Sequence, residues 1–492
     1  MSGTRSVRRV ILFLVCFLSM APWASAETST LTLQEVLSST LRSHPKARIF
    51  DAKVDAANSA RVSASGAFDL QAFGRATSSP LGKYQRYFGE LGVKQPTTAY
   101  GIDIYAKYQN GAEFPPYDGR YVTSEFGKVS LGVVVPLLRG GHTDSARFAR
   151  RKAELEQAIA EQERRVQRAE LLAQAAEAWW RWVVTGKKLE AQRKVLSQAE
   201  ERRDFLREQA RVGAIAPVEV LDNERLLAAR RAKLSVLELK FRRFGLKLGL
   251  YRRGQGGEPL PPSEKELPQL SFGALPYPQV AREYQEELHT VPAIQIYGTA
   301  SRILKEELGL AKNEQLPELN LELFSSTGWG PTRPYSQDDS SLTETNLGGK
   351  LSLLWDVQRR KSRGKAGVVR AKLRIVEQET RLLLDSLLLD IESQLMALEA
   401  QGQAAQLSQQ ATKHAEEVRA AERESFQAGQ SSVLSLNLRE RAVLSAYIAQ
   451  LDAVFEYQMA WVGLQRLFGR DTPDAYSPNS LQVSFPTQKR AP

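Results

Sequence analysis

The chain has 492 residues, with 67 Lys and Arg against 56 Asp and Glu, which gives a formal net charge of +11. This length is enough for several ordinary domains. The positive excess could indicate nucleic-acid binding, but Lys and Arg alternate with Glu in helical segments such as ERRDFLREQ at 201–209. Such interleaving is typical of solvated coiled-coil faces, so we expect no nucleic-acid partner.

The N-terminal segment 1–26 has the pattern of a cleavable signal peptide. Three arginines precede an apolar core at 10–18, and a small-x-small cleavage site follows at 24–26. Removal of the segment takes away three positive charges and lowers the net charge from +11 to +8. The only cysteine, Cys16, lies inside it, so we expect an exported mature chain without disulfides.

After residue 26 no run of about 18 apolar residues occurs, so we expect no transmembrane helix. An exported chain of this kind is periplasmic, secreted or a β-barrel protein of an outer membrane. The patterns along the rest of the chain favour the third class.

Long segments without proline predict that most of the chain is helical. Two of these segments each lead into a turn with glycine and then a second helix, and the turn glycines Gly213 and Gly429 are 216 positions apart. The same shift places Arg207-Glu208 on Arg423-Glu424, which indicates an internal duplication. The four long helices are expected at about 145–211, 218–248, 365–428 and 433–467.

The duplication divides the mature chain into two structural repeats, 27–250 and 280–469. Between them, 251–279 is rich in Pro and Gly and is expected to be a linker outside any barrel. The tail 470–492 is polar and contains several prolines, so we expect it to be loosely held.

Each repeat also contains two segments in which apolar and polar residues alternate with period 2, as in a two-faced β-strand. In LPELNLELF at 316–324, the leucines alternate with Glu318, Asn320 and Glu322. A further hairpin is expected in the first repeat, with 90–96 and 100–108 as its strands. The four main strands are expected at about 67–80, 128–137, 317–327 and 347–357.

These segments have the alternation and the length, about 9–11 residues, of membrane-barrel strands. Four strands cannot close a barrel, and a bilayer tolerates no open sheet edge. We therefore expect several chains to share one barrel, with the long helices below the membrane. The residues expected to face lipid are Leu319, Leu321, Leu323, Val129, Leu131, Val133, Leu351, Leu353 and, at a strand end, Trp355.

Three segments carry a resemblance to a known family: VPLLRGG at 135–141, AEAWWRWV at 176–183 and VGAIAPVEVLDNERLLAAR at 212–230. With the duplication, they make the chain resemble the TolC-like outer-membrane efflux channels over about 31–470. The resemblance implies a mainly α fold with a membrane β-barrel portion. It implies a homotrimer that forms a 12-stranded β-barrel, continued by a long periplasmic α-helical barrel.

The same resemblance implies a passive exit duct of the outer membrane for export of small molecules or proteins. Its implied partners are further copies of the chain, a periplasmic adaptor (membrane fusion protein), an inner-membrane pump of RND or ABC type, and outer-membrane lipid. It implies no cofactor and no enzymatic activity.

In this family the helix-hairpin tips close the periplasmic end and dock on the adaptor, and here they would be 207–225, around Gly213, and 423–441, around Gly429. At the first tip, Glu219 and Asp222 lie on one helical face and would form an acidic constriction that favours cations. At the second tip, Ser431, Ser435 and Leu438 stand where the family pattern has charged residues. We expect closure there by hydrogen bonds and apolar contact, although simple capping and packing roles explain the same residues equally well.

Other residues give little support for catalysis. The four histidines are scattered without metal-ligand spacing. Trp179, Trp180 and Trp182 are better explained by packing at a helix junction than by a ligand site. The alternative function, from a different class, is a periplasmic coiled-coil scaffold or adaptor without a pore, and an exported hydrolase is a more distant third.

Overall fold

The structure is a computed structural model of the chain. It describes residues 30–83, 85–114, 123–254, 256–271, 287–330, 345–476 and 482–483. The predicted signal peptide at 1–26 lies outside the described residues.

Helices make up most of the described chain. Two of them are very long, with 67 and 68 residues, and at 1.5 Å per residue each extends about 100 Å. The helices are α1 (Leu33–Ser43), α2 (Pro45–Ser65), α3 (Ser145–Arg211), α4 (Pro217–Gly249), α5 (Pro292–Asn313), α6 (Arg360–Gln427) and α7 (Val433–Leu467).

Helix starts follow local chemistry. Pro45, Pro217 and Pro292 each occupy the first turn of a helix, where the missing N–H is not needed. Asp144 caps α3 by accepting a hydrogen bond from the N–H of Arg147 at 2.8 Å. The long helix predicted from 365 begins earlier, at Arg360, and continues through the solvent-exposed glycines at 364 and 367.

Six strands form one antiparallel sheet in the order β1-β2-β3-β4-β6-β7. A separate pair, β5 with β8, joins the connector after α4 to the tail. The strands are β1 (Gln71–Ser79), β2 (Gln85–Pro96), β3 (Asp103–Phe114), β4 (Lys128–Pro136), β5 (Leu270–Ser271), β6 (Glu318–Gly328), β7 (Thr345–Leu354) and β8 (Gln482–Val483).

Two of the predicted strands have different ends in the structure. The first was expected from 67, but Gly66–Phe68 forms a 3₁₀ turn that closes α2, so β1 begins only at Gln71. The last was expected to reach 357, but β7 ends at Leu354 and the chain turns there towards α6. Trp355 therefore lies outside the strand.

The extra hairpin was predicted correctly as a pair but with the wrong turn. Tyr100 and Gly101 have φ values of 53° and 67°, which belong to a tight turn and not to a strand. Pairing begins with Pro96 opposite Asp103 and continues to Gln85 opposite Phe114. The hairpin is a full member of the sheet between β1 and β4, so the expected count of four main strands is too low.

The principal core surrounds the middle of α3. Trp179, Trp180 and Trp182 are all buried there. The indole N–H of Trp179 donates to the carbonyl oxygen of Leu31 at 3.1 Å, and Trp182 stacks on Phe241 with ring centroids 5.7 Å apart. The predicted packing role of these tryptophans agrees with the structure.

The start of the tail belongs to the same core, contrary to the prediction of a loosely held segment. Tyr476 is fully buried, and its hydroxyl donates to the carbonyl oxygen of Ala169 at 2.9 Å. Trp461 donates its indole N–H to the carbonyl oxygen of Ala475 at 3.1 Å. The polar composition of the tail did not indicate this anchoring, because it depends on the side chains of only two aromatic residues, Tyr476 and Trp461.

Gly186 lets the connector after α4 approach α3 closely. A Cβ atom at this position would lie 2.7 Å from a methyl group of Leu267 and 2.9 Å from the ring of Phe241, both buried. Gly367 in α6 has open space around the same position. Close packing therefore requires a glycine at 186, whereas packing places no such requirement on position 367.

Gly186→Ala and Gly367→Ala should shift stability in opposite directions. Gly186→Ala overpacks the core, which typically costs about 1–3 kcal/mol. Gly367→Ala adds helix propensity worth up to about 1 kcal/mol. Melting of the detergent-solubilised protein, followed by circular dichroism, should show a lower midpoint for the first and an equal or higher one for the second. A midpoint unchanged by Gly186→Ala would contradict this packing.

Candidate functional site

The sheet has one apolar face that crosses all of its central strands. Directly paired residues of antiparallel strands lie on the same face, so the register defines rows of side chains. Ile104, Val133 and Leu323 form one such row, and Val135 and Leu321 belong to another. Leu351 and Leu353 extend this face on β7 and are 63% and 66% exposed. Exposed apolar area of this extent marks a surface that contacts something other than water.

The structure brings together eight of the nine residues that were predicted to face lipid. Trp355 is the exception, because it follows the end of β7. The eight that share the apolar face are Val129, Leu131, Val133, Leu319, Leu321, Leu323, Leu351 and Leu353.

The opposite face of the sheet is polar and internally bonded. Glu90 accepts a hydrogen bond from Gln109 at 2.5 Å and pairs with Arg75 at 3.2 Å, one on each neighbouring strand. Glu322 accepts from the hydroxyl of Tyr105 at 2.5 Å. The polar groups of this face therefore stabilise one another between strands. The predicted polar residues of 316–324 lie on this face.

The two helix tips have the same turn geometry. Gly213 and Gly429 have φ values of 77° and 75°, the left-handed conformation that ends many helices. The N–H of the residue after each glycine donates back to the fifth preceding carbonyl, with both distances 2.9 Å. These backbone bonds cap the C-terminal ends of α3 and α6, and the positive φ that they need favours glycine at both positions.

The first tip presents its predicted acids near the start of α4. Glu219 lies in the first helical turn, and Asp222 pairs with Arg225 across a distance of 2.9 Å between Oδ1 and Nε. Both carboxylates are partly exposed. Val218 and Leu221, between and beside them, are 65% and 64% exposed, so this tip carries both charge and apolar area on its surface.

The second tip is held by serine hydrogen bonds. Ser431 donates to Glu422, which also pairs with Arg439 at 3.3 Å. These two interactions lower the pKa of Glu422, the bond from Ser431 more than the Arg439 contact. The two contacts of ionised Glu422 therefore stabilise the tip at neutral pH. This stabilisation is lost as the pH falls through the lowered pKa of Glu422.

The other predicted residues of the second tip divide between capping and exposure. Ser432 caps α7 by accepting from the N–H of Ser435 at 3.1 Å, which agrees with the simple capping role for this turn. Leu434 and Leu438 are 61% and 50% exposed. Both side chains are therefore apolar groups on the surface of this tip.

A buried charge cluster above the tips was missed from the sequence. Glu440 on α7 pairs with Arg202 of α3 and, at 3.2 Å, with Arg230 of α4. Arg202 also donates to Asn437 at 2.6 Å. The three charged side chains are at most 9% exposed. Burial lowers the pKa of Arg230, and Glu440 opposes that effect. The cluster links both helical hairpins just above their ends.

No local sequence pattern indicated this cluster. Charged residues on helices are usually exposed. The hydrophobic periodicity of each helix does not show how helices more than 200 positions apart align with one another.

The fold and these two regions define a class of protein: a mainly helical chain with two long helical hairpins attached to a two-faced antiparallel sheet. Within the described residues, no helix combines the length and apolar character that a membrane crossing requires. A family model for outer membrane efflux proteins matches residues 107–243 and 285–470, which is more than half of the chain. The chain belongs to this family, and the resemblance to TolC-like channels is confirmed.

Solved structures of three outer-membrane proteins have the same fold. The CmeC channel of Campylobacter jejuni is 13% identical with a TM-score of 0.59, covering 95% of this chain and 94% of its own. VceC of Vibrio cholerae is 15% identical with a TM-score of 0.60, covering 89% and 96%. The open-state MtrE channel of Neisseria gonorrhoeae is 16% identical with a TM-score of 0.59, covering 89% and 88%. No curated protein sequence matches the chain significantly.

Glu440→Gln should destabilise the lower part of the helical hairpins. It leaves Arg202 and Arg230 buried without a counter-ion, a change that typically costs about 3–5 kcal/mol. Glu200→Gln is the matched control, because Glu200 pairs with Arg231 at 2.6 Å on the surface, where a pair contributes about 0–1 kcal/mol. Limited proteolysis near the tips and thermal melting should separate the two variants. Equal behaviour would contradict the role of the cluster.

Proposed function

We propose that the protein is a homotrimeric exit duct of the outer membrane, through which small molecules or proteins leave the periplasm. The observation that carries this proposal is the two-faced sheet, apolar on one side and internally hydrogen-bonded on the other, attached to helices about 100 Å long. Membership of the outer membrane efflux protein family supports the same function. The duct is passive and is gated at its helix tips.

The open sheet supports assembly from several copies. Strands β1 and β7 are at its edges, and each has a partner on one side only within the described chain. In lipid each unpaired backbone group costs several kcal/mol, so membrane-spanning sheets close on themselves. The homotrimer implied by the resemblance is the assembly that we propose.

The element order supports two repeats, 27–250 and 280–469, with the linker 251–279 between them and the tail 470–492 after them. In each half a helix precedes a strand, and a later strand precedes a long helix, a glycine turn and a second helix. The two glycine turns, 216 residues apart, contain equivalent backbone hydrogen bonds. We propose that the helices continue the duct into the periplasm as an α-helical barrel, after export directed by the signal peptide at 1–26.

The tips are the proposed contact with a periplasmic adaptor, which connects the duct to an inner-membrane pump of RND or ABC type. Exposed apolar residues at both tips, Val218, Leu221, Leu434 and Leu438, support a protein contact there. A periplasmic scaffold without a pore is less well supported, because such a protein has no use for an exposed apolar sheet face. Fractionation to the periplasm would favour the scaffold.

Leu321→Lys and Asn320→Lys test the facing of β6. A lysine on the lipid face near the middle of the membrane costs about 2–4 kcal/mol, whereas a lysine on the lumen side is solvated. Leu321→Lys should therefore strongly reduce the trimer recovered from the outer-membrane fraction, and Asn320→Lys should leave most of it. Similar yields for the two variants would show that this facing is wrong.

Planar-bilayer recordings test the duct and its acidic tip together. The wild-type protein should conduct, with a reversal potential in a KCl gradient that indicates cation preference. Glu219→Gln with Asp222→Asn should move that potential towards zero, because the ring of carboxylates is removed. The matched control is Glu154→Gln with Glu156→Gln, two acids at the opposite end of α3.

A channel whose potential responds equally to both pairs would refute the acidic constriction. A purified protein that neither conducts nor forms trimers in mild detergent would refute the duct itself.

A further inference from the structure

We propose that the hairpin β2–β3 is part of the membrane wall, so that three copies close a barrel of eighteen strands, six from each. The resemblance alone implied twelve, four from each. The inference rests on the proposed trimeric duct and concerns the width of its membrane part.

The pairing inserts this hairpin into the sheet and does not lay it over the sheet. Strand β2 pairs with β1 from Gln71 opposite Lys94 to Ser79 opposite Arg86. Strand β3 pairs with β4 over seven positions. The described β1 and β4 are therefore separated by two strands, and removing the hairpin from the wall would break the backbone pairing of both.

The hairpin has the same two faces as the rest of the sheet. Val93, Ala106 and Leu131 are successive register partners in one apolar row. Glu90 and Lys107 lie on the polar side, 3.8 Å apart. Each hairpin strand has 12 residues, more than a tilted membrane strand needs. A hairpin standing in water outside the membrane would gain nothing from an apolar face that continues its neighbours' rows.

At both junctions between the hairpin and its neighbouring strands, an aromatic ring packs over a glycine of the paired strand, as also occurs elsewhere in the sheet. On the polar face, the ring of Phe73 covers Gly92 between β1 and β2, and the ring of Tyr105 covers the glycine at 132 between β3 and β4. The ring of Phe324 covers Gly348 in the same way between β6 and β7. An aromatic ring over a glycine pins the register of paired strands.

The contact of Tyr105 with Glu322 extends this bonding one strand further. Its hydroxyl reaches from β3 past β4 to the carboxylate on β6. The inserted hairpin is thereby bonded to the second half of the chain as well as to the first.

A second copy is the occupant that fits the two open edges. Within one chain, β4 pairs with β6 over nine positions, and this junction joins the last strand of the first proposed repeat to the first strand of the second. Strand β7 is the last of the second repeat and β1 is the first of the first repeat. Pairing β7 with β1 of the next copy repeats the same kind of antiparallel junction between chains.

Strand number sets the width of the wall. Barrel diameter grows roughly linearly with strand number, so eighteen strands give a barrel about one and a half times as wide as twelve. Two copies of six strands would give twelve, so the number of copies and the number of strands must be counted together.

Cryo-electron microscopy of the full-length protein in lipid nanodiscs counts the copies and the strands directly. Three copies around an eighteen-stranded wall that includes β2 and β3 is the expected result. Three copies around twelve strands with the hairpin outside the wall, or two copies around twelve strands, would overturn the inference and leave a membrane duct in place. A protein that forms no ring in lipid would overturn the duct as well.

A charge exchange within the hairpin gives an independent measurement. Lys107 lies on the polar face, next to Ala106 on the apolar face, so Ala106→Lys with Lys107→Ala moves one charge across the wall without changing the net charge. This variant should reduce outer-membrane trimer by more than about tenfold, and Lys107→Ala alone should reduce it little. Equal trimer yields for the two variants would overturn the inference.

Discussion

The hydrogen-bonding requirement of a sheet edge is the constraint on which the rest of this structure depends. Every interior strand of the six-stranded sheet has partners on both sides, whereas β1 and β7 each have one unpaired edge within the described chain. Lipid offers those backbone groups no partner. In the proposed duct the apolar face contacts lipid, and the unpaired edges are then satisfied when other copies complete the sheet.

The helices meet a different requirement, which is to remain fixed relative to one another over about 100 Å. Near the middle of α3, buried tryptophans and Gly186 bring helices and connector into close contact. Nearer the tips, polar contacts join the apolar packing, namely the buried Glu440 cluster and the partly buried Ser431–Glu422 bond. The helical part is thus held by apolar packing at mid-length and by buried charge together with apolar contact near the tips.

Much of the architecture was predictable because its signals are local. Proline and glycine mark the ends of the long helices, and the tip glycines are required by their positive φ values. Alternation identified the apolar face of β4, β6 and β7, because a strand's two faces are fixed by period 2 alone. The incorrect strand ends have the same origin. The alternating pattern continues through Tyr100, which lies in a turn, and through Trp355, which lies beyond the end of β7, so the pattern alone does not show where a strand stops.

What the sequence could not provide depends on contacts between distant segments. The pairing of Glu440 with Arg202 and Arg230 requires the register of three helices, and no helical pattern distinguishes a buried charge from a solvated one. The place of the β2–β3 hairpin within the sheet likewise depends on its partners in β1 and β4. The structure shows both contacts, and they support the proposed strand count and the link between the two helical hairpins near their tips.

Amide hydrogen exchange of the purified protein in detergent tests the central claim most directly. The amides of β1 and β7 that have no partner within the described residues should exchange as slowly as those of β4 if neighbouring copies close the sheet. Exchange of these edge amides at the rate of exposed loops, while β4 remains protected, would contradict closure by further copies.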